Sequence, residues 1–519
     1  MDDSQNKPSK RRAVIIGAGP VGCLTAISFA KTLGWDVELY EARQDIRLPA
    51  AKATAQQRSI NLAISSRGLA ALQTIDPAAT SRFLETVVPM RGRMIHDLYG
   101  NQDSQSYDPN GQCINSIDRA LLNEGLLNEA LSQPNIRIFF RHKVQSVDFD
   151  KRGMIVHDED GDKSVSVNFD LCVGTDGTYS IIRRQMMRVV RMDYQQQYLP
   201  HEYLELKMPA GLDVEGKPKF LLDPNHLHIW PRHSFMLIAL PNQDMTFTCT
   251  LFAPMNDFET LTTEENIVSW FGAHFPDALS LIGTESLLEQ FARNPRSSLM
   301  TLKASYPFII ARLIIVSILQ ANPYHYKDRA VILGDAAHSM VPFYGQGLNC
   351  GLEDVRVLTI LLQEAQVEST FISDASDDPR LAAALSRYSE TRHEDLDAIS
   401  DLAMNNFVEM RHLVTTPVFL LRKAVDNFLF SLSSHSPVTW ASLSPVLSRI
   451  PFPTSRPGGW LPLYTMVTFR PDISYATARK KAERQSQLLT NAGVLGSLTL
   501  GAASLFAGWM ALYHRTRGH

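Results

Sequence analysis

A glycine-rich turn near the start of the chain constrains the fold more than any other stretch. An apolar strand at 13–16 leads into GAGPVG at 17–22, an apolar helix follows at 20–33, and a second apolar strand ends at Glu41. In such a βαβ unit the glycines let the backbone turn sharply and approach a pyrophosphate, and the acid binds ribose hydroxyls. An acid here argues against a nucleotide with a 2′-phosphate. The turn therefore predicts an α/β domain that binds FAD or NAD, the alternative being a tight turn without a ligand.

Two later stretches repeat the order strand, loop and helix. A strand at 171–173 runs into Asp176, and a strand at 330–333 runs into Asp335 and then through a loop to a helix near Gly347. A carboxylate directly after a buried strand can accept hydrogen bonds from ribityl or ribose hydroxyls. The N-terminus of the next helix can stabilise the negative charge of a reduced flavin. We therefore expect three points of contact on one extended ligand.

Length and composition are those of an ordinary multidomain globular protein. With 519 residues the chain can form two or three domains, and its formal net charge of -4 gives no indication of nucleic acid binding. Its five cysteines have no metal-ligand spacing, and we expect them to be reduced thiols. The polar N-terminus, MDDSQNKPSKRR, does not have the apolar core of an export signal.

The C-terminal tail has the length of a membrane span. No charged side chain occurs between Gln485 and Tyr513, and the most apolar part is 494–513. As a helix this part would extend about 30 Å, the thickness of a bilayer core. More basic residues precede the segment than follow it, so the positive-inside rule keeps the rest of the protein on the cytosolic side. We expect a C-terminal transmembrane helix, the alternative being a buried or dimer-forming helix with small residues such as Gly501 at its contact.

The middle of the chain has a different pattern. Residues 194–291 alternate between apolar and polar and predict a largely antiparallel sheet that could roof a pocket, to which a hairpin at 93–112 would contribute. A helix is expected to begin at Arg119, with Ser116 as its N-cap. Beyond Asp354 the pattern is helical.

Three short motifs and several longer blocks carry a family resemblance. GAGPVG at 17–22, TDG at 175–177 and GDAAH at 334–338 resemble the three FAD fingerprints of the aromatic-ring flavoprotein monooxygenases. Within that family the chain is similar to the members that hydroxylate L-kynurenine, through blocks that include RSINLAIS, RGRMIHD, VPFYGQGLNCGLED, ISDLAMNNFVEMR and PLYTMVTF. The resemblance covers nearly the whole chain. It is interrupted at 306–322, where we expect an atypical insertion that the family lacks.

The resemblance implies a fold, an activity and a location. The expected fold is α/β, with a Rossmann-like FAD-binding domain (1–192 and 292–365), a β-sheet substrate domain (193–291), a helical region (366–484) and a membrane-anchor tail (485–519). The implied activity uses NADPH to reduce FAD, and O2 at the reduced flavin, to hydroxylate L-kynurenine to 3-hydroxykynurenine. NADPH would dock transiently at the surface. The implied location is the mitochondrial outer membrane, with the catalytic domain facing the cytosol.

The same resemblance assigns site residues position by position. Those matching substrate contacts are Arg93, Tyr107, Asn406, Tyr464 and Gln346. Those matching FAD contacts are Gly17, Gly19, Val21, Gly22, Glu41, Arg43, Arg119, Val144, Asp176, Asp335, Leu348 and Asn349. A guanidinium suits the carboxylate of an amino acid because it can bind it bidentately, so Arg93 is the expected anchor. Arg93 could instead form a surface ion pair, Tyr464 and Asn406 could be core residues, and His338 is expected to be structural.

Two other functions fit part of the pattern. One is an FAD monooxygenase for another aromatic or a lipid substrate, which a membrane tail would suit but a buried guanidinium would not. The other is a membrane-tethered FAD-binding protein without turnover. The sequence leaves the oligomeric state open.

Overall fold

The computed structural model describes residues 9–52, 61–305, 324–371, 377–433 and 459–491. Within these ranges the chain forms a parallel sheet, a larger and mostly antiparallel sheet, several small sheets, and helices that cover them.

The parallel sheet contains the three strands that precede the predicted ligand loops. Arg12–Ile16, Leu171–Gly174 and Ala330–Ile332 are neighbours and run parallel, so their carboxyl ends share one edge. Their apolar side chains are fully buried, as expected of strands covered on both faces. The three loops that were expected to contact one extended ligand therefore lie side by side. In spatial order the strands are His325–Tyr326, Ala330–Ile332, Leu171–Gly174, Arg12–Ile16, Asp36–Tyr40 and Ile136–Phe139. The edge strand His325–Tyr326 runs antiparallel to its neighbour.

Among the described residues, the larger sheet has seven strands. Alternate residues of its longest strand, such as Leu204 and Leu206, pack with Trp230 in a core on one face, and Tyr203 packs against the core that contains the parallel sheet. The predicted hairpin joins this sheet because Gly92–His96 pairs in parallel with His226–Arg232. In spatial order the strands are Ser297–Ser305, Asp193–Met208, Phe247–Pro254, Phe235–Pro241, His226–Arg232, Gly92–His96 and Gln102–Ser106.

Smaller sheets connect these two. One contains His142–Asp148, Gly153–Asp158 and Lys163–Asn168; another contains Asn61–Ile64, Ile114–Asp118 and Val88–Met90. Two-stranded pairs are Ser9–Lys10 with Thr370–Phe371 and Gly211–Leu212 with Pro218–Lys219.

Helices of the FAD-binding part begin at residues that favour helix starts. Pro20–Thr32 has a proline in its first turn, and Asp76 caps Pro77–Leu84 by accepting from Ala79 N. The helices of this part are Pro20–Thr32, Ser66–Ile75, Pro77–Leu84, Arg119–Leu131, Ile181–Met186, Asp335–His338 and Gly347–Glu364.

The C-terminal part is helical, as predicted. Asp378 caps the longest helix, which covers 33 residues, by accepting from the backbone of Arg380 and Leu381. The helices are Pro379–Arg411, Pro417–Ser433, Leu463–Phe469 and one over 475–491.

Two predictions about secondary structure are wrong. Strands were expected up to residue 291, but the chain from 255 forms helices that cover the outer face of the larger sheet: Met255–Thr260, Glu264–His274, Pro276–Ile282 and Thr284–Arg293. Ser116 is not a cap, because it lies within a strand and Asp118 accepts from Ala120 N and Leu121 N instead.

Two further predictions fall on other parts of the chain. The expected insertion at 306–322 and the expected membrane span at 494–513 lie outside the described residues. Within the described ranges, no helix has both the length and the apolar character that crossing a bilayer requires.

Candidate active site

The glycine turn leaves room for a ligand at Gly19 and none at Gly17 or Gly22. A Cβ on Gly22 would lie 1.9 Å from Gly17 O, and one on Gly17 would lie 2.6 Å from Thr175 O, so both are needed for packing. A Cβ on Gly19, in contrast, would meet no protein atom within 4 Å. Gly19 is also the N-cap of helix Pro20–Thr32 and offers no side chain to its first N–H groups. This open helix start suits the pyrophosphate of a dinucleotide.

The acid at the end of the second strand is joined to the same turn. Glu41 Oε2 accepts from Ala18 N at 2.8 Å, and its other oxygen accepts from Arg43 N. Arg43 itself is exposed. Glu41 is therefore held beside the open turn, where the predicted ribose contact would be made.

Asp176 and its neighbours tie the second loop to the first and third. Asp176 accepts from Ser180 Oγ and from the backbone of Ile181, so its carboxylate caps a helix. Thr175 Oγ1 donates to Gly17 O. Arg183 donates to the carbonyls of Ala336 and Thr178 at 2.7 and 2.6 Å. The structure thus places Asp176 at the predicted loop, with its oxygens used inside the protein.

Asp335 and Val21 lie where the third loop meets the glycine turn. The Asp335 carboxylate is exposed, directly after the buried strand that ends at Ile332. A Cβ on Gly334 would lie 3.2 Å from Val21, and one on Gly351 would lie 2.8 Å from it. This close packing brings the first turn of helix Pro20–Thr32 against the loop that carries Asp335.

A buried ionic network lies behind that loop. Asp354 Oδ2 accepts from Gly334 N at 3.0 Å and lies 2.5 Å from His338 Nε2, while Oδ1 accepts two hydrogen bonds from Arg392. Burial raises the pKa of Asp354, but His338 and Arg392 together bring it below its usual value. His338 is thus buried and bound to Asp354, as the predicted structural role requires. Arg392 also binds Glu353, which pairs with Arg67.

The helix that begins at Gly347 carries three of the predicted residues near its start. Asn349 is fully buried, accepts from Ser65 N and donates to Ala63 O, both at 2.8 Å. Gln346 is buried and accepts from Tyr475 OH at 3.0 Å. Leu348 is half-buried at the first turn. Asn349 and Gln346 therefore fix the loop to its surroundings, and Leu348 is the more accessible of the three.

The remaining predicted FAD residues lie further out. Arg119 is exposed at the first turn of its helix. Burial raises the pKa of Glu205 on the larger sheet, and the charge of Arg119 opposes this rise. Val144 is buried next to a bulge in its strand.

The expected substrate anchor is buried and already paired. Arg93 Nη1 donates to Glu409 Oε1 at 2.7 Å, and Nη2 donates to Asn406 Oδ1 at 3.2 Å. Asn406 in turn donates to Phe343 O, within the loop before helix Gly347–Glu364. Burial opposes the charge on Arg93, but Glu409 raises the pKa of the guanidinium above its usual value. Arg93 is thus a permanently charged group inside the protein, linked through Asn406 to the loop before helix Gly347–Glu364.

Aromatic rings surround this cation. Tyr107 and Tyr464 stack with ring centroids 4.7 Å apart, and Tyr464 stacks on Tyr344 of the loop before helix Gly347–Glu364 at 5.6 Å. The Arg93 guanidinium lies 5.4 Å from the Tyr464 ring centroid. Burial raises the pKa of Tyr107 to about 12. The structure therefore brings Arg93, Tyr107, Asn406 and Tyr464 together, as predicted.

Helix Pro417–Ser433 lies close to the same group. Burial, followed by the charge of Arg93, lowers the pKa of Lys423 to about 8. Gln105, next to Tyr107, donates to Val414 O just before this helix.

Sequence reasoning missed Glu409, Arg392 and Lys423. Glu409 could have been found, because it lies three residues after Asn406 in a predicted helix and so on the same face. Arg392 and Lys423 are ordinary charged residues of helices, and only the fold brings them to the site.

Comparison with known proteins agrees with this geometry. A family model described as an FAD binding domain matches residues 10–279 and 303–374. A kynurenine 3-monooxygenase of Cryptococcus neoformans is 43% identical over 521 residues, which cover 96% of this chain and 97% of that protein. Proteins of the same name from Saccharomyces cerevisiae and Drosophila willistoni are 41% and 37% identical, with at least 95% of each chain covered.

Solved structures show the same fold at lower identity. A 2-methyl-3-hydroxypyridine-5-carboxylic acid oxygenase is 19% identical with a TM-score of 0.56, covering 79% of this chain and 95% of that one. A p-nitrophenol 4-monooxygenase of Pseudomonas putida is 17% identical with a TM-score of 0.56, covering 82% and 93%. The extent of the sequence matches and the three converging loops identify the chain as a member of the kynurenine 3-monooxygenase family, a flavin-dependent aromatic monooxygenase.

Proposed function

We propose that this chain uses NADPH, FAD and O2 to hydroxylate L-kynurenine to 3-hydroxykynurenine, a step of tryptophan degradation and NAD biosynthesis. The observation that carries the proposal is the buried guanidinium of Arg93, set among stacked tyrosines next to the loop before Gly347. A charged group in such surroundings requires an anionic partner, which Glu409 supplies in this structure and which a substrate carboxylate could replace. The carboxylate of an amino acid is such a partner, and the tyrosine rings suit an aromatic body.

The protein's own contribution is positioning. FAD, when bound, supplies the electron transfer and the oxygen activation. The open turn at Gly19, the Glu41 carboxylate and the exposed Asp335 are the groups that would hold it. Because an aromatic amine is already electron-rich, the side chains need only orient the ring and exclude water.

The pair of Arg93 and Glu409 suits both ends of a zwitterion. Arg93 would bind the carboxylate of the amino acid, and Glu409 would then bind its ammonium group. Glu409 is half-buried and on the same helix face as Asn406. A substrate with one charge of each sign could replace both halves of this ion pair, whereas a phenol has neither a carboxylate nor an ammonium group to do so.

The test is a comparison of Arg93→Met, Arg93→Lys and the control Arg91→Met. Arg91 is exposed on the same segment. NADPH oxidation, 3-hydroxykynurenine and hydrogen peroxide are measured against kynurenine concentration, with bound FAD read from the visible spectrum. Arg93→Met is expected to raise the KM about 100-fold, since charged hydrogen bonds contribute about 1.5–3 kcal/mol each, with FAD retained.

Three results would count against the proposal. Absence of 3-hydroxykynurenine with the unmodified protein would refute the substrate. An unchanged KM in Arg93→Met would remove Arg93 from the site. A colourless purified protein that takes up no FAD would contradict the cofactor assignment.

A lipid or another aromatic compound is the second candidate substrate. The apolar tail favours it, but a lipid without an acid group would make no use of the Arg93 guanidinium, which would stay paired with Glu409. Faster NADPH oxidation with a quinone precursor than with kynurenine would support this candidate.

The tail belongs to the proposal as a membrane anchor. Its support is the sequence from Gln485 to Tyr513, which has no charged side chain. The family resemblance favours the mitochondrial outer membrane, with the catalytic part in the cytosol. Extraction of the full-length protein from membranes by alkaline carbonate would refute the anchor.

A further inference from the structure

Helix Pro417–Ser433 presents an apolar face to solvent. Val418, Leu421, Phe428 and Leu432 are 78%, 68%, 62% and 61% exposed. They are separated by three, seven and four residues, which places them on one side of the helix. Together they extend over about 21 Å of its length. We call these four residues the helix-417 stripe.

The opposite face of the helix fixes this orientation. Phe430 is buried, Phe419 packs against the main core, and Asp426 accepts from the Trp460 indole at 2.9 Å. Lys423 faces the charges of Arg93 and Glu409. Because these contacts hold the inner face, the helix cannot turn the stripe inward without losing them.

The neighbouring helix leads to the predicted membrane span. Arg422 Nη1 donates to Ser486 Oγ of helix 475–491 at 3.4 Å. The span begins at 494, eight residues after Ser486, which is about 12 Å along a helix and at most about 28 Å along an extended chain. A bilayer that receives the span therefore lies close to helix Pro417–Ser433.

The chemistry of the two helices fits a lipid surface. Arg422, which also pairs with Asp426, borders the stripe. On helix 475–491 Arg484 and Leu488 are exposed, next to the exposed Glu483. Apolar side chains next to cations are the pattern of helices that lie in the headgroup region of anionic membranes. A second copy of the chain is a weaker fit, because a stable protein interface uses about 20–30 residues on each side.

We propose that the helix-417 stripe lies in the headgroup region of the phospholipid bilayer that anchors the tail. This inference rests on the anchor proposed above. The inference adds that helix Pro417–Ser433 has one face towards Arg93 and the other in lipid. The catalytic part is then held at a fixed orientation on the membrane.

The test uses the full-length holoenzyme in phosphatidylcholine and phosphatidylserine vesicles. An environment-sensitive fluorophore is attached at Leu421→Cys or Phe428→Cys. The control is Glu265→Cys, an exposed position on helix Glu264–His274 beside the larger sheet. All variants carry Cys113→Ser, because the other cysteines are buried. Quenching by a nitroxide on the lipid headgroup is compared with quenching by a soluble nitroxide.

The probes at 421 and 428 are expected to lose about half of their emission to the lipid nitroxide, because an interfacial helix lies about 5–10 Å into the headgroup boundary. The probe at 265 should respond only to the soluble quencher. If all three behave like the control while the protein resists carbonate, the stripe proposal is refuted and the anchor stands. Failure to associate with vesicles refutes both. Protection of 421 and 428 that disappears on dilution of the protein in the membrane would show a contact between copies instead.

Discussion

The Arg93 guanidinium and the Glu409 carboxylate lie 2.7 Å apart, so the expected anchor for a substrate carboxylate already holds a carboxylate of the protein. The pair joins strand Gly92–His96 to helix Pro379–Arg411. A zwitterionic substrate would bind by exchanging this contact for one with each side chain.

Glu409→Gln is predicted to weaken recognition of the ammonium group. The KM for kynurenine should rise, whereas the rate with an analogue that lacks the α-amino group should change little. The measurement is the ratio of kcat/KM for the two compounds, which should fall in the variant. A ratio equal to that of the unmodified protein would exclude Glu409 as the ammonium partner.

Gly19→Ala and Gly22→Ala are predicted to separate cofactor binding from folding. A methyl group at Gly19 meets no protein atom, so the apoprotein should keep its Tm while FAD affinity falls. A methyl group at Gly22 overlaps Gly17 O, so this variant should lose stability even without FAD. Thermal unfolding of both apoproteins and titration with FAD check this. Unchanged FAD affinity in Gly19→Ala would show that no ligand passes close to that turn.

Asp354→Asn is predicted to lower the stability of the fold, and Asp335→Asn is predicted to lower the affinity for FAD. Asp354 is buried between Arg392, His338 and Gly334 N, and neutralising it should cost about 3–5 kcal/mol, as for other buried pairs. Asp335 is exposed, so its variant should fold normally and bind FAD less tightly. Urea unfolding at neutral pH, together with FAD titration, measures both effects. Equal stability of the two variants would contradict this interpretation.

Lys423→Met is predicted to stabilise the protein in a pH-dependent manner. Burial, and then Arg93, lower the pKa of Lys423 from 10.5 to about 8, so the folded state disfavours the charge relative to the unfolded chain. Below pH 8 the cost is present in full, and it falls as pH rises towards 10.5, because both states then lose the proton. The difference in Tm between variant and unmodified protein should therefore be largest below pH 8 and decrease above it. A difference that does not vary with pH would be due to packing alone.

The three ligand loops could be predicted because their signals are local. A strand, a glycine or aspartate and a helix follow one another within a few residues, and the parallel order of the strands brings their ends together. The cluster of Arg93, Tyr107, Asn406 and Tyr464 was expected only from the family resemblance, since its members lie far apart in the chain.

The errors also have physical reasons. Between 255 and 293 the chain forms short amphipathic helices, and Ile267 and Phe271 are spaced by one helical turn. This period was overlooked because the alternating strands before it suggested that the sheet continues. Ser116 and Asp118 both have side chains suited to capping, and Asp118 is the cap because the strand continues to it and the helix begins at the next residue.

Helix Pro379–Arg411 carries Arg392 at one end of the site and Asn406 with Glu409 at the other. The two positions are separated by 14 residues, or about 21 Å of rigid helix. Inserting or deleting one residue between them would turn one set of side chains by about 100° relative to the other. Relatives that acquire new substrates are therefore expected to do so by replacing side chains on this helix, while its length between the two positions stays constant.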